Sequence, residues 1–237
     1  MSPSSAGHLG LPASIHVCLF DLDGVLTDTA SVHRAAWAAA FDPVLQAHNQ
    51  PEFTEHDYEE FVDGKPRIDG VRDFFASRSL NLSEQEIADV AERKNADVLR
   101  RIHDDGVKVF EGSRRYHEAA QEVGLRRIVV SSSANTADVL KVTGLDAFVE
   151  GRVDGRTIIE QKLAGKPAPD SFLAGARLVD AAPAVAAVFE DATAGVEAGR
   201  RGDFGFVVGV NRHDDAHARD LATHGASVVV ADLGELL

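Results

Sequence analysis

The stretch Val-Cys-Leu-Phe-Asp-Leu-Asp-Gly-Val-Leu-Thr, residues 17–27, constrains this chain more than any other part of it. An apolar run without polar alternation reads as a strand buried on both faces, the kind found inside a parallel sheet. The run ends abruptly in Asp21 and Asp23, one position apart, followed by Gly24. Two carboxylates at the end of a buried strand are unfavourable unless they share a cation or a proton. The pattern therefore asks at once for a parallel sheet and for chemistry at its rim. Cys18, within the run, reads as a small buried apolar side chain. As the single cysteine it excludes an internal disulfide and a cysteine-based zinc cluster.

Beyond this strand the pattern is helical as far as about residue 108. Ala36, Trp37, Ala40 and Val44 recur at helical spacing between Ser31 and Gln46, and Asp69–Ser79 reads as a short helix. Ser83 with Glu86 three residues on is a capping box; it opens a helix running to Ile102 on Ile87, Val90, Val98 and Leu99. From Phe110 onward helices and strands alternate. The helices are expected at Ser113–Glu122, Ala137–Thr143, after the Gly165–Asp170 loop to about Val179, and at Ala194–Arg201 and Ala216–Thr223. The strands are expected at Arg127–Val130, Ala147–Val149, Ala186–Phe189, Phe204–Val210 and Ser227–Val230. Such alternation implies an α/β fold built on a doubly wound, Rossmann-like parallel sheet. The helical block interrupts it after its first strand. The expected organisation is a core domain of residues 14–30 plus 109–237, an inserted helical cap domain of 31–108, and a flexible tail at 1–13. Trp37 is expected to pack inside the cap, Arg200 and Arg201 to close a helix against its dipole, and most of the histidines, His33 excepted, to lie at the surface.

The formal net charge of −14 argues against a nucleic-acid partner, which requires a basic face. No stretch approaches the ~18 apolar residues of a membrane span. The opening residues, rich in Ser, Gly and Pro, lack the basic-then-apolar order of a secretory signal. A cytoplasmic monomer with no membrane partner is expected.

In an open parallel sheet, ligands bind outside the carboxyl ends of the strands. The polar clusters fall at such ends: Asp21 and Asp23, then Ser131, Ser132 and Ser133, then Glu190 and Asp191. Lys166 stands in a Gly/Pro loop that can reach the same rim. Each cluster alone reads equally well as a turn, a helix cap or a surface charge; their joint placement does not. Carboxylates from separate strands make an oxygen-rich site suited to Mg²⁺. Serine hydroxyls, amide groups near a helix start and one lysine make an anion cradle. With an aspartate nucleophile, this is the equipment for phosphoryl transfer through an aspartyl-phosphate. No Gly-x-x-x-x-Gly-Lys-Ser/Thr loop, Gly-x-Ser-x-Gly elbow or His-Glu-x-x-His pair is present.

These residues resemble the haloacid-dehalogenase superfamily of phosphotransferases. Its first motif, Asp-x-Asp-Gly-x-x-x-Asp, matches Asp21, Asp23, Gly24 and Asp28; the second matches Ser131; the third matches Lys166 to Asp170; the fourth matches Glu190, Asp191 and Gly195. Within it, the chain is similar to the β-phosphoglucomutase family, on Thr27-Asp28-Thr29-Ala30, His33, Trp37, Gly64, Arg67, the segment Glu92–Asn95, Ser133 and Asn135. The resemblance implies Asp21 as the phosphorylated nucleophile and Asp23 as general acid/base. It implies Mg²⁺ held by Asp21, the main-chain carbonyl of Asp23 and Asp191, with Glu190 in or beside the shell. Ser131, with Ser132 beside it, and Lys166 would bind the transferring phosphate, and Arg67, Ser133 and Asn135 the second phosphate of a sugar substrate. Thr29, His33 and Gly64 join the substrate-binding set, His33 coupling binding to the engagement of Asp23. A helical cap would exclude water, which a mutase requires and a phosphatase does not. Two departures bear on the substrate: Asp63 stands where the family usually carries a lysine, with Lys65 as the candidate replacement, and Ala134 stands where it often carries another. A sugar-phosphate phosphatase is the alternative, and a catalytically silent binding module a third reading. A dehalogenase does not need the metal carboxylates or Asp23.

Overall fold

The computed structural model describes residues 9–62, 65 and 67–237, Glu59 by its backbone alone. In chain order the helices are α1 (Thr29–Ala47), α2 (Glu55–Asp57), α3 (Arg67–Ser77), α4 (Glu84–Asp104), α5 (Glu111–Glu122), α6 (Thr136–Thr143), α7 (Gly155–Gln161), α8 (Asp170–Arg177), α9 (Thr193–Arg201) and α10 (Asp215–His224). The strands are β1 (Val17–Phe20), β2 (Arg126–Val130), β3 (Gly151–Val153), β4 (Ala186–Glu190), β5 (Phe206–Val210) and β6 (Val228–Val230). The described residues divide into two compact units, those up to residue 28 with 108–237, and those between 29 and 107.

In the first unit the strands form one parallel sheet in the order β3-β2-β1-β4-β5-β6. β1 is buried along its length, as an apolar run without alternation requires. Val17 and Leu19 pack with Ile128, Val130, Phe172 of α8 and Val196 of α9. Phe20, one residue out of step, meets Phe189 at 4.4 Å and His117 of α5 at 4.3 Å between ring centroids. A period of two thus sends alternate side chains to helices on opposite faces. The chain runs from β1 to β2 on one side and resumes with β4 on the other, so the switch point lies at β1. Phe20 stands level with Val129 and Phe189, which brings Asp21, the end of β2 and Glu190 to one rim.

Several expectations change here. The strand expected at Ala147–Val149 is instead β3, Gly151–Val153, preceded by a 3₁₀ turn at Leu145–Ala147. β3 is an edge strand paired only with β2, so its ladder, not its own apolar pattern, specifies it. α7 was not expected; Asp154 caps it by accepting from the amides of Arg156 and Thr157. Part of the expected tail is packed: Leu9 and Leu11 are buried, and the Tyr116 hydroxyl donates to the Leu9 carbonyl at 2.9 Å. Among the histidines, His117 is fully buried.

The second unit is helical, with an aromatic core. Phe41 stacks on Phe74 at 4.3 Å and on Trp37 at 4.8 Å, with Phe53 and Phe75 edge-on. Trp37 therefore packs inside this unit. The capping box at Ser83 and Glu86 forms as its spacing requires and starts α4. A π-helical turn at Tyr58–Val62 follows α2. Among the described residues no helix is long and apolar enough to cross a membrane.

Candidate active site

The rim of the first unit gathers the residues that the four motifs nominate. Asp21 directly follows β1, and its amide donates to the Phe189 carbonyl at 2.9 Å, so the last rung of the ladder fixes its backbone. Its carboxylate is buried and accepts from Lys166 Nζ at 2.5 Å. Lys166 also reaches Glu190 Oε1 at 3.2 Å and lies 5.0 Å above the Phe172 ring. Asp23, half-buried, accepts from the Ser131 hydroxyl at 3.1 Å. Ser131 Oγ in turn accepts from the Ser133 amide at 3.0 Å, and Ser133 Oγ from the Asn135 amide at 3.2 Å. The chain after β2 is thereby wound into a turn that leads into α6. Ser131 and Asn135 are buried, Ser133 is half-buried, and Ser132 is exposed on the turn.

Two glycines make room for the acidic groups. Gly24 has φ +75°, and a Cβ there would meet Asp191 Oδ2 at 1.7 Å. A Cβ on Gly195 would meet Glu190 Oε1 at 1.8 Å. The glycines of the first and fourth motifs are thus spaces that carboxylates occupy.

The electrostatics are those of a site short of positive charge. Burial drives the Asp21 carboxyl up to about 6, against the pull of Lys166 and with Asp23 adding to the rise. Burial and the Asp21 charge raise Glu190 well above the ordinary carboxylate range. Burial opposes the Lys166 charge, but Asp21 and Glu190 more than compensate and raise its pKa. Asp21, Glu190 and Asp191 each offer a carboxylate oxygen, all within 4.8 Å of one another. Glu190 Oε2 is buried with no hydrogen-bond partner among the described residues. Three carboxylates facing one ammonium, with an orphaned acceptor, fit a hard divalent cation. The Asp23 carboxylate lies outside this triad.

Thr29, His33, Lys65 and Arg67 belong to the second unit. Thr29 is buried. Lys65 Nζ pairs with Asp73 at 2.6 Å. Arg67 Nε is buried and has no hydrogen-bond partner among the described residues. Gly64 lies outside the described residues, as does Asp63. His33 Nδ1 lies 2.7 Å from Lys94 Nζ, which also sits 4.7 Å above the Trp37 ring. Lys94 is buried; the sequence places it in the segment Glu92–Asn95 that carries the resemblance but gives it no role there. A signal was there: Val90, Lys94, Val98 and Ile102 fall at intervals of four, which puts a lysine on the apolar stripe of α4. Arg212, whose side chain engages the Asp23 turn, had no local signal.

The fold and the site together define an α/β enzyme with an acidic, cation-demanding centre at the switch point of its sheet. The chain belongs to the haloacid dehalogenase-like hydrolase family, whose model matches residues 15–203. A protein named β-phosphoglucomutase from Mycobacterium tuberculosis (strain CDC 1551 / Oshkosh) is 51% identical over 97% of this chain and 94% of its own. Hexitol phosphatase A of Escherichia coli (strain K12) is 31% identical over 76% of each chain. A crystal structure of β-phosphoglucomutase from Clostridium difficile has the same fold, with a TM-score of 0.78 over 94% of this chain and 93% of that one at 24% identity. The chain is accordingly an enzyme of the phosphotransferase and phosphatase type.

Proposed function

We propose that this enzyme is a Mg²⁺-dependent β-phosphoglucomutase, interconverting β-glucose 1-phosphate and glucose 6-phosphate through an aspartyl-phosphate on Asp21. The observation that carries this reading is the 51% identity to the mycobacterial β-phosphoglucomutase over nearly the full length of both chains. The geometry supplies the chemistry. An Asp21 carboxylate oxygen attacks phosphorus, the phosphorus–oxygen bond to the leaving group breaks, and Asp23 gives its proton to the departing oxygen. In the second half-reaction Asp23 takes the proton of the incoming sugar hydroxyl as that oxygen bonds to phosphorus and Asp21 leaves. The bisphosphorylated sugar then presents its other phosphate to Asp21.

Ser131, whose hydroxyl touches Asp23, is assigned the transferring phosphate. Lys166 neutralises charge on the transferring group. Arg67, Ser133 and Asn135 are assigned the non-reacting phosphate, with Thr29, His33, Gly64 and Lys65 around the sugar. Asp21, Asp191 and Glu190, with the Asp23 carbonyl, would hold Mg²⁺, which when bound neutralises phosphate charge and favours ionised Asp21. The orphaned Glu190 oxygen supports this assignment. The net charge of −14 supports a protein without a nucleic-acid partner, and we take it to act in the cytoplasm as a monomer.

A phosphatase of small sugar phosphates is the second reading, favoured by Asp63 and Ala134 at positions where lysines are usual, and by the likeness to hexitol phosphatase A. One assay separates them: enzyme, Mg²⁺, β-glucose 1-phosphate and a catalytic amount of the bisphosphate primer. Glucose 6-phosphate should accumulate with little free phosphate. Inorganic phosphate released faster than glucose 6-phosphate forms would replace the mutase reading with the phosphatase.

A further inference from the structure

Arg212 lies just beyond β5, far in sequence from the carboxylates, yet its guanidinium closes on the turn that carries Asp23. Nε donates to the Gly24 carbonyl at 2.6 Å and Nη2 to the Val25 carbonyl at 3.2 Å. Nη1 donates to the Ala231 carbonyl at 2.9 Å, beyond β6. The guanidinium carbon lies 3.6 Å from the Phe110 ring centroid, so one face of the plane is covered. A planar group stacked on a ring and forked onto three carbonyls has one workable orientation, which a lysine ammonium would not have.

The turn it grips is tightly wound. Gly24 N donates to the Thr27 carbonyl at 2.8 Å, and Leu26 N to the Leu22 carbonyl at 3.0 Å. The Ser113 hydroxyl shares the Val25 carbonyl at 2.6 Å. Gly24 also lies against the Asp191 carboxylate, with no room even for a Cβ. Any shift of Gly24 therefore moves Asp23, its chain neighbour, and presses on or leaves Asp191. Arg212 itself meets only main-chain carbonyls of this segment, beside Asp23 in the chain and against Asp191.

We propose that Arg212 is a positioning residue for phosphoryl transfer. By holding the Gly24 and Val25 carbonyls it sets the pose of the Asp21–Asp23 turn against Asp191. This rests on the phosphoryl-transfer reading above. A displacement of about 1 Å at such a turn is expected to slow chemistry by on the order of 10²-fold while leaving substrate contacts intact.

The test compares wild type with R212A, and with R212Q should R212A fail to fold. Two readouts are taken: steady-state kinetics on β-glucose 1-phosphate, and amide hydrogen exchange by mass spectrometry. In R212A, kcat should fall about 10- to 100-fold with KM changed less than about threefold. Exchange should accelerate in the peptide covering residues 22–27, while peptides from β2 and β5 keep wild-type rates. Millimolar methylguanidine should restore part of the lost kcat, and methylammonium should not. Unchanged kcat, unchanged exchange at residues 22–27, or acceleration spread across the whole sheet would each overturn the assignment. The exchange readout needs no substrate. It therefore still judges Arg212 if the wild type proves to be a phosphatase, in which case the kinetics are taken on the ester it hydrolyses.

Discussion

Acid stability offers the sharpest check on the interior of the sheet unit, through His117. The imidazole is fully buried against Phe20, and neither ring nitrogen has a hydrogen-bond partner among the described residues. Burial, with the Arg127 charge adding to it, lowers its pKa from 6.5 to about 3. The folded protein therefore keeps the ring neutral while the unfolded chain protonates it below about 6.5. The unfolded state binds more protons throughout that window, so stability falls as the pH drops from 6.5 toward 3. Each unit of pH is worth about 1.4 kcal/mol, so this residue removes about 2 kcal/mol between pH 7.5 and pH 5.0. Replacing it with Phe, which keeps the ring and removes the titration, should abolish that part of the slope. The assay is urea unfolding of wild type and His117→Phe at both pH values. The carboxylate contributions are common to the two proteins and cancel in the double difference. Parallel pH dependence would refute the reasoning, because the imidazole would then be protonated or hydrogen-bonded inside the fold.

Three further outcomes follow from the site and the cores. Asp21→Asn removes the proposed nucleophile and a buried carboxylate, so turnover should fall by on the order of 10⁴-fold or more while the melting temperature stays close to wild type; retained turnover across a panel of phosphate esters would exclude Asp21. Gly24→Ala forces a Cβ onto Asp191 at a left-handed position, so Mg²⁺ affinity read by calorimetry should weaken at least tenfold and the protein should lose about 1–3 kcal/mol. Wild-type metal binding in that variant would show that the turn and Asp191 do not share this space. Phe41→Ala empties the centre of the helical unit's aromatic cluster and should cost about 3–5 kcal/mol, measured by chemical denaturation; a loss under about 1 kcal/mol would mean the cluster closes over the gap.

The features legible in the chain were those whose physics is local. The β1 run declares a strand buried on both faces because no polar residue interrupts it, and the Ser83–Glu86 box starts α4 because both partners lie within one turn. The acidic, serine and lysine clusters point to a cation and an anion because they fall together at the carboxyl ends of strands, although each alone reads as a turn, a cap or a surface charge. Harder to read were elements held by partners distant in sequence. β3 is short and polar and exists through its ladder to β2. His117 looked like a surface residue because its burial depends on Phe20, nearly a hundred positions away. Lys94 lay on an apolar stripe that the sequence does show, but its pairing with His33 required α1 and α4 to meet.

The sequence by itself determined the alternation of strands and helices, the place of the insertion, and which side chains are candidates for the chemistry. Each of these is encoded in runs, spacings and caps a few residues long. Only the tertiary structure decided which backbone groups those side chains lean on. Arg212 reaches the Gly24 and Val25 carbonyls because β5 is separated from β1 only by β4, and Gly24 makes room for Asp191 because β1 and β4 end at one rim. Such contacts join residues more than a hundred positions apart. No local preference encodes them, and they appear only once strand order and register are set.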